Sequence, residues 1–185
     1  MTIKNRDRTD FLIVHCAATT ARQDIGVKTI NGWHLQRRIF SDRGLSGYHF
    51  VIRRSGLIEL GRDLMAIGAH CLGFNARSVG TCLVGGARKV KPGETPEWAD
   101  MVSEDNFTAA QYDTLTKHIA WLQMVFPSAL VGGHKAFDPG KACPSFDVWA
   151  WQQARFGNND KLKVLEALAK GENKVPETTD EETPK

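Results

Sequence analysis

The residues best suited to chemistry are two histidines and a cysteine that stand far apart in the sequence. His15 lies near the end of a short apolar run, His134 follows a second such run and two glycines, and Cys143 comes nine residues later. Imidazole nitrogen and thiolate sulfur are common zinc ligands, and hydrolytic zinc needs three protein ligands and one open position for water. Spacing alone leaves two interpretations open: convergence on one metal ion, or histidines that simply pack in the core.

The elements that would position these side chains follow from hydrophobic patterning. Short apolar runs rich in β-branched residues predict strands over 11–16, 47–53, 57–60, 78–84 and 129–131, with the second and third joined as a hairpin.

Helical spacing of apolar residues predicts helices over 28–38, 146–155 and 160–170, and a longer helix that begins at a capping box formed by Thr108 and Gln111. Residues 90–105 show no period and are predicted to be a surface loop. Strands and helices interleave, which favours an α/β fold: a single domain whose mixed central β-sheet is flanked by helices on its faces.

Composition and charge bound the organisation of the chain. Its 185 residues suit one domain with a sizeable core. We expect a polar N-terminal arm over 1–10, a folded domain over 11–171, and an acidic, disordered tail over 172–185. The net charge is +3, and without the tail it is about +6. A positive charge on the chain outside the tail suits binding to an anionic polymer, either a bacterial wall or nucleic acid.

The N-terminus and the cysteines favour a cytosolic protein. The first ten residues are polar, and the apolar run from Phe11 to Ala18 is interrupted by His15 and too short to cross a bilayer, so we expect no secretory signal. The four cysteines form no C-x-x-C pair, and in a reducing compartment such thiols serve as core groups or ligands more often than as disulfides.

Four sequence blocks, present in a fixed order, carry a resemblance to a known family. They are VHCAAT at 14–19, GYHF at 47–50, VGTCLVGG at 79–86 and KACPSF at 141–146. They resemble the N-acetylmuramoyl-L-alanine amidases of the type-2 amidase and peptidoglycan-recognition superfamily, over about residues 11–151. The resemblance implies that the domain over 11–171 is a zinc amidase catalytic domain. It would hydrolyse the amide bond between N-acetylmuramic acid and L-alanine in peptidoglycan, with one Zn²⁺ per chain.

The resemblance also assigns roles to individual residues. It implies that the zinc ligands are His15, His134 and Cys143, that Tyr48 and Lys141 are catalytic, and that His70 and Asn75 touch the substrate. A lysine ammonium and a tyrosine hydroxyl are donors that can stabilise the oxyanion of a tetrahedral intermediate. The interval from His134 to Cys143 is one residue longer than the familiar pattern, and we expect an adjusted loop rather than a lost ligand.

The phage members of the family imply the biological setting. We expect a monomeric, phage-type endolysin that is made in the host cytoplasm, reaches the wall through a holin-type lesion and lyses the host. Its partner would be peptidoglycan, with neither direct nucleic-acid binding nor membrane insertion. Because a phage member also binds and inhibits its phage's RNA polymerase, the resemblance adds that polymerase as a second candidate partner.

Other functions stay open at this stage. Some members of the superfamily recognise peptidoglycan without cutting it, but they typically lack the cysteine ligand. A lysozyme-type glycosidase needs a pair of carboxylates, and none stands out. A Cys–His hydrolase built on His15 and Cys16 is disfavoured, because adjacent side chains on a strand face opposite sides. Without the resemblance, Tyr48 is better explained as a packed aromatic and Lys141 as a solvated loop lysine.

Overall fold

The computed structural model describes residues 4–36, 46–97 and 100–171; the expected tail over 172–185 lies outside these ranges. The strands are β1 (Phe11–Cys16), β2 (Phe50–Ile52), β3 (Ile58–Leu60), β4 (Ser78–Leu83), β5 (Ala87–Lys89), β6 (Met101–Ser103) and β7 (Leu130–Gly133). The helices are α1 (Val27–Gln36), α2 (Ala109–Val125), α3 (His134–Phe137), α4 (Val148–Phe156) and α5 (Lys161–Ala169).

The described residues form a mixed five-stranded sheet in the order β3-β2-β4-β1-β7. β2, β4, β1 and β7 run parallel, whereas β3 returns antiparallel to β2 through the predicted hairpin. β1 and β4 are buried along their whole length, and β1 appears in the sequence as a nearly continuous apolar run, whereas β4 also contains Ser78 and Thr81. The parallel arrangement places the carboxyl ends of four strands at one edge of the sheet.

The two faces of the sheet are covered by different helices, as alternation along β1 requires. Leu12 and Val14 pack in one cluster with the apolar face of α2 and with residues of α4. Phe11 and Ile13 face the opposite way and pack against Phe137 of α3 and Val164 of α5. The predicted α/β fold with helices on both faces is therefore confirmed, and His15 continues the face that carries Phe11 and Ile13.

Helix α2 begins at the predicted capping box. The Gln111 backbone N–H donates to Thr108 Oγ1, and the Thr108 N–H donates to Gln111 Oε1, each over 3.1 Å. The buried Gln111 amide also donates to the carbonyl oxygens of Ile52 and Val84. This side chain therefore fixes the start of α2 against the ends of β2 and β4.

The prediction of a featureless loop over 90–105 was wrong in one part. β6 pairs antiparallel with β5, and the turn between them is held by an ion pair from Arg88 to Glu94. Each strand has only three residues, so neither is long enough to show an alternating pattern in the sequence. The hairpin directly follows β4 and so extends from the carboxyl edge of the sheet.

The described part of the expected N-terminal arm packs on the domain. Arg6 is buried, and its guanidinium donates to the Ala66 carbonyl over 2.8 Å. Backbone hydrogen bonds join Arg6 to Met65 and Ile67 to Lys4. These contacts bring the arm onto the segment that precedes His70.

Membrane-spanning helices were also sought. Within 4–36, 46–97 and 100–171, every helix is too short or too polar to cross a bilayer.

Candidate metal centre

His15, His134 and Cys143 meet at the carboxyl edge of the sheet. His15 is the fifth residue of β1, His134 directly follows the neighbouring strand β7, and Cys143 lies on the loop after α3. One ligand atom from each residue lies within 4.8 Å of the other two. His15 Nδ1 is 3.9 Å from Cys143 Sγ, and the two imidazole centres are 4.5 Å apart.

The donor atoms and their spacing fit a zinc ion. Tetrahedral zinc with bonds of about 2.1 Å to nitrogen and about 2.3 Å to sulfur holds those two atoms roughly 3.6 Å apart. The Nδ1–Sγ distance of 3.9 Å is close to this value. Three protein ligands leave one position open for water, as in hydrolytic zinc sites. In the part of the chain that the structure describes, this is the cluster with metal-ligand spacing.

Burial sets the protonation of the ligand atoms. Desolvation, reinforced by nearby histidine rings, lowers the pKa of His15 well below its usual value of 6.5. Burial lowers the pKa of His134 to about 4. Both rings are therefore neutral near pH 7, and each can offer a nitrogen lone pair. Burial raises the pKa of the Cys143 thiol well above its usual range, so a metal must displace its proton on binding.

Backbone hydrogen bonds hold Cys143 beside the histidines. The Cys16 N–H donates to Cys143 Sγ over 3.2 Å, which would stabilise a thiolate at that atom. The Lys135 N–H donates to the Cys143 carbonyl, and the Lys141 N–H donates to the Asp138 carbonyl. The loop after α3 thus accommodates its length as a closed turn, with Cys143 kept in the cluster.

Tyr48 and Lys141 flank this cluster. The Tyr48 ring centre is 5.1 Å from that of His15, and burial raises the pKa of its hydroxyl well above 10, so the hydroxyl remains a donor. Lys141 is exposed on the loop that carries Cys143. Burial and, to a smaller extent, the charge of Lys141 lower the pKa of His134, whereas the charge of Asp138 raises it.

His70 lies beside His15, and Asn75 holds the loop that carries His70. His70 Nδ1 is 3.0 Å from His15 Nε2. Asn75 Oδ1 accepts hydrogen bonds from the backbone N–H groups of His70 and Cys71, over 2.7 and 2.9 Å. The expectation that these two residues touch the substrate stays a prediction; within the chain, His70 contacts His15 and Asn75 contacts the loop backbone.

His49 is absent from the cluster, as expected, but for a different reason. Residues 47–49 form a bend rather than part of β2, so strand alternation does not place this ring. Its Nδ1 accepts the Gly80 N–H over 3.0 Å, and its Nε2–H donates to the Ala66 carbonyl over 2.9 Å. Both ring nitrogens are therefore engaged by the backbone, which leaves neither for a metal.

Comparison with known proteins identifies the family. The family described as N-acetylmuramoyl-L-alanine amidase matches residues 5–146. The chain belongs to this amidase family. It is 38% identical over 148 residues to the endolysin of Escherichia phage T7, covering 80% of this chain and 88% of that protein. It is 41% identical over 147 residues to the endolysin of Klebsiella phage KP32, covering 79% and 87%. The family resemblance and the prediction of an enzyme are confirmed.

Solved structures show that the amidase fold is shared more widely. The Ph2119 endolysin from a Thermus scotoductus bacteriophage superposes with a TM-score of 0.62 at 20% identity, covering 83% of this chain and 88% of that one. Drosophila PGRP-LB superposes with a TM-score of 0.61 at 21% identity, covering 83% and 85%. At these identities, the likeness supports the fold alone.

Sequence reasoning missed two groups around the amidase site. Cys16 was considered in the sequence only as a nucleophile beside His15, yet its backbone N–H donates to the sulfur of Cys143. Ser78 was only the first residue of a predicted strand, yet its hydroxyl lies 3.4 Å from His70 Nε2. The first contact joins residues 127 positions apart, and the second depends on how the short segment between His70 and Ser78 folds, so neither leaves a signal in the sequence.

Proposed function

We propose that this chain is a phage endolysin that hydrolyses the amide bond between N-acetylmuramic acid and L-alanine in peptidoglycan, with one zinc ion held by His15, His134 and Cys143. The observation that carries the proposal is the convergence of their ligand atoms within 4.8 Å. Membership of the amidase family supports the reaction. The names of the phage relatives support the role in lysis of the host.

The residues around the ligands supply the remaining chemistry. When bound, zinc would supply Lewis acidity toward the amide carbonyl and would lower the pKa of water. The Tyr48 hydroxyl, kept protonated by burial, and the Lys141 ammonium would donate to the oxygen that becomes negative in the tetrahedral intermediate. The leaving amine of L-alanine needs a proton, and Tyr48 Oη and Lys141 Nζ are two candidate donors.

Ligand variants test the proposal. In the expected outcome, His15→Ala, His134→Ala and Cys143→Ala each lose zinc, measured by elemental analysis, and the release of free amino termini from purified sacculi falls in parallel. Zinc-free wild-type protein that still releases amino termini would contradict the proposal. A zinc-loaded protein that binds sacculi without cleaving them would instead indicate the non-catalytic recognition module.

Binding to a phage RNA polymerase and exit through a holin-type lesion stay predictions from the resemblance. A pull-down of the purified chain with the cognate polymerase tests the first. The expected outcome is stoichiometric capture that persists in His15→Ala, because loss of the metal site need not disturb a separate protein contact. Failure to retain the polymerase at micromolar concentrations of both proteins would contradict the prediction that this chain binds it.

A further inference from the structure

A chain of hydrogen bonds leads from the proposed metal site to a backbone carbonyl. His15 Nε2 is 3.0 Å from His70 Nδ1, and His70 Nε2 is 3.4 Å from Ser78 Oγ. The Ser78 hydroxyl donates to the Phe74 carbonyl over 2.8 Å. The chain thus joins two imidazoles and one hydroxyl to a terminal group that can only accept.

The carbonyl at the end of this chain sets the direction of every hydrogen bond. Because Ser78 uses its one hydrogen on Phe74, its oxygen is left to accept from His70 Nε2–H. A neutral imidazole with hydrogen on Nε2 has a lone pair on Nδ1, so His70 Nδ1 accepts from His15 Nε2–H. His15 Nδ1 then carries the lone pair, and this is the nitrogen that lies 3.9 Å from Cys143 Sγ.

The His70 ring is held in a closely fitted space. A Cβ atom built on Gly68 would lie 2.5 Å from His70 Cδ2, and one built on Gly80 would lie 2.5 Å from His70 Cγ. Asn75 fixes the backbone N–H of His70 from the other direction. The two glycines therefore leave room for the ring, and Asn75 holds the backbone that carries it.

We infer that His70 is a positioning residue, which holds His15 in the tautomer and orientation that present Nδ1 to the metal. The inference deepens the proposed function and rests on its zinc site. Histidine ligands commonly donate their second N–H to an acceptor that fixes the ring, and loss of such an acceptor typically costs about 10- to 100-fold in metal affinity. Here the acceptor is another histidine, whose own tautomer is set by Ser78 and Phe74.

Two substitutions at one position separate the acceptor role from simple packing. His70→Leu removes the acceptor, whereas Oδ1 in His70→Asn can take the place of Nδ1. Zinc affinity, measured without substrate by competition with a chromophoric chelator, should fall about 10- to 100-fold in His70→Leu and stay near wild type in His70→Asn. The absorption spectrum of the cobalt(II)-substituted protein should change in the leucine variant alone.

A matched control is His118→Leu, which removes a buried histidine that contacts Thr81 rather than a metal ligand. Its zinc affinity should be unchanged. The inference is overturned if His118→Leu loses as much affinity as His70→Leu, or if the asparagine variant is as weak as the leucine variant. It is also overturned if His70→Leu binds zinc normally and only its KM for substrate rises, which would make His70 a substrate contact.

Nitrogen-15 NMR of the zinc-free wild-type protein gives a test that needs no variant. His15 and His70 should both carry hydrogen on Nε2. Hydrogen on Nδ1 of His15 would contradict the inference whether or not the protein proves to be an amidase. Conversely, a protein with the expected tautomers that binds no zinc would contradict the proposed function and leave the hydrogen-bond chain intact.

Discussion

Lys141 and Cys143 are two residues apart on one loop, yet the proposed reaction gives them separate tasks. The Cys143 sulfur lies in the ligand cluster and accepts a backbone N–H from Cys16. Lys141 is exposed, and in the proposed reaction its ammonium donates to the oxyanion. A substitution at each position should therefore affect different measurements.

Lys141→Ala should lower the rate of sacculus cleavage about 100- to 1000-fold, because it removes one donor to the oxyanion. Zinc content should stay at one per chain. The same pattern is expected for Tyr48→Phe. Cleavage assays and elemental analysis of the same preparations measure both quantities.

Lys135→Ala is the matched control for Lys141→Ala, since Lys135 is an exposed lysine on the neighbouring helix α3. It should keep both zinc and activity. Full cleavage activity in Lys141→Ala would contradict a catalytic role for Lys141. Loss of zinc from the same variant would show that the substitution disturbs the loop that carries Cys143, so that the fall in activity could not be assigned to the ammonium.

Prediction at the residue scale depended on the family blocks. Spacing alone did not decide whether His15, His134 and Cys143 bind a metal ion or pack in the core. The family blocks assigned them to a zinc ion. The contact between His15 and His70 was not predictable, because it joins β1 to a loop 55 residues further along the chain. Nothing near His70 in the sequence indicates which ring nitrogen would meet which partner.

At the scale of elements, the start of α2 links the helix to the sheet. Thr108 caps the helix through Oγ1, and the same hydroxyl donates to the Arg54 carbonyl in the turn between β2 and β3. Gln111 completes the capping box and reaches the ends of β2 and β4. The cap therefore stabilises more than one element.

Thr108→Ala should lower the free energy of unfolding by about 1 kcal/mol, the usual cost of losing such a cap, with zinc affinity unchanged. Urea unfolding measures the difference. Thr108→Ser keeps the hydroxyl and should stay near wild type. Equal stability of the alanine variant and wild type would show that the capping hydrogen bonds contribute nothing net.

Elements were predictable where their patterns were long. β1 and β4 each have six buried residues, and α2 has 17 residues with a capping signal, so all three were found from the sequence. β5, β6 and the four-residue α3 were missed, because each is short and none contains an apolar run like those that revealed the equally short β2 and β7.

At the scale of the whole molecule, two buried histidines away from the ligand cluster link stability to pH. Burial lowers the pKa of both His49 and His118 from 6.5 to about 4. The unfolded chain binds protons at these positions below about pH 6.5, whereas the folded chain does so only near pH 4. Their contribution is therefore fully present above pH 6.5 and is lost as the pH falls toward 4.

Urea unfolding of the zinc-free protein between about pH 7.5 and about pH 4.5 should show this loss, which is roughly 3 kcal/mol for each histidine when complete. His118→Gln removes one titrating group and should reduce the slope of stability against pH. Constant stability across this range would mean that neither ring is held neutral by the fold.

The most direct test of the amidase account is product analysis of purified sacculi treated with zinc-loaded and zinc-stripped protein. The zinc-loaded protein, with one zinc per chain, should release new L-alanine amino termini and no new reducing sugar ends. Stripping should abolish this release, and added zinc should restore it. Reducing ends without amino termini, or release that persists without zinc, would contradict the account.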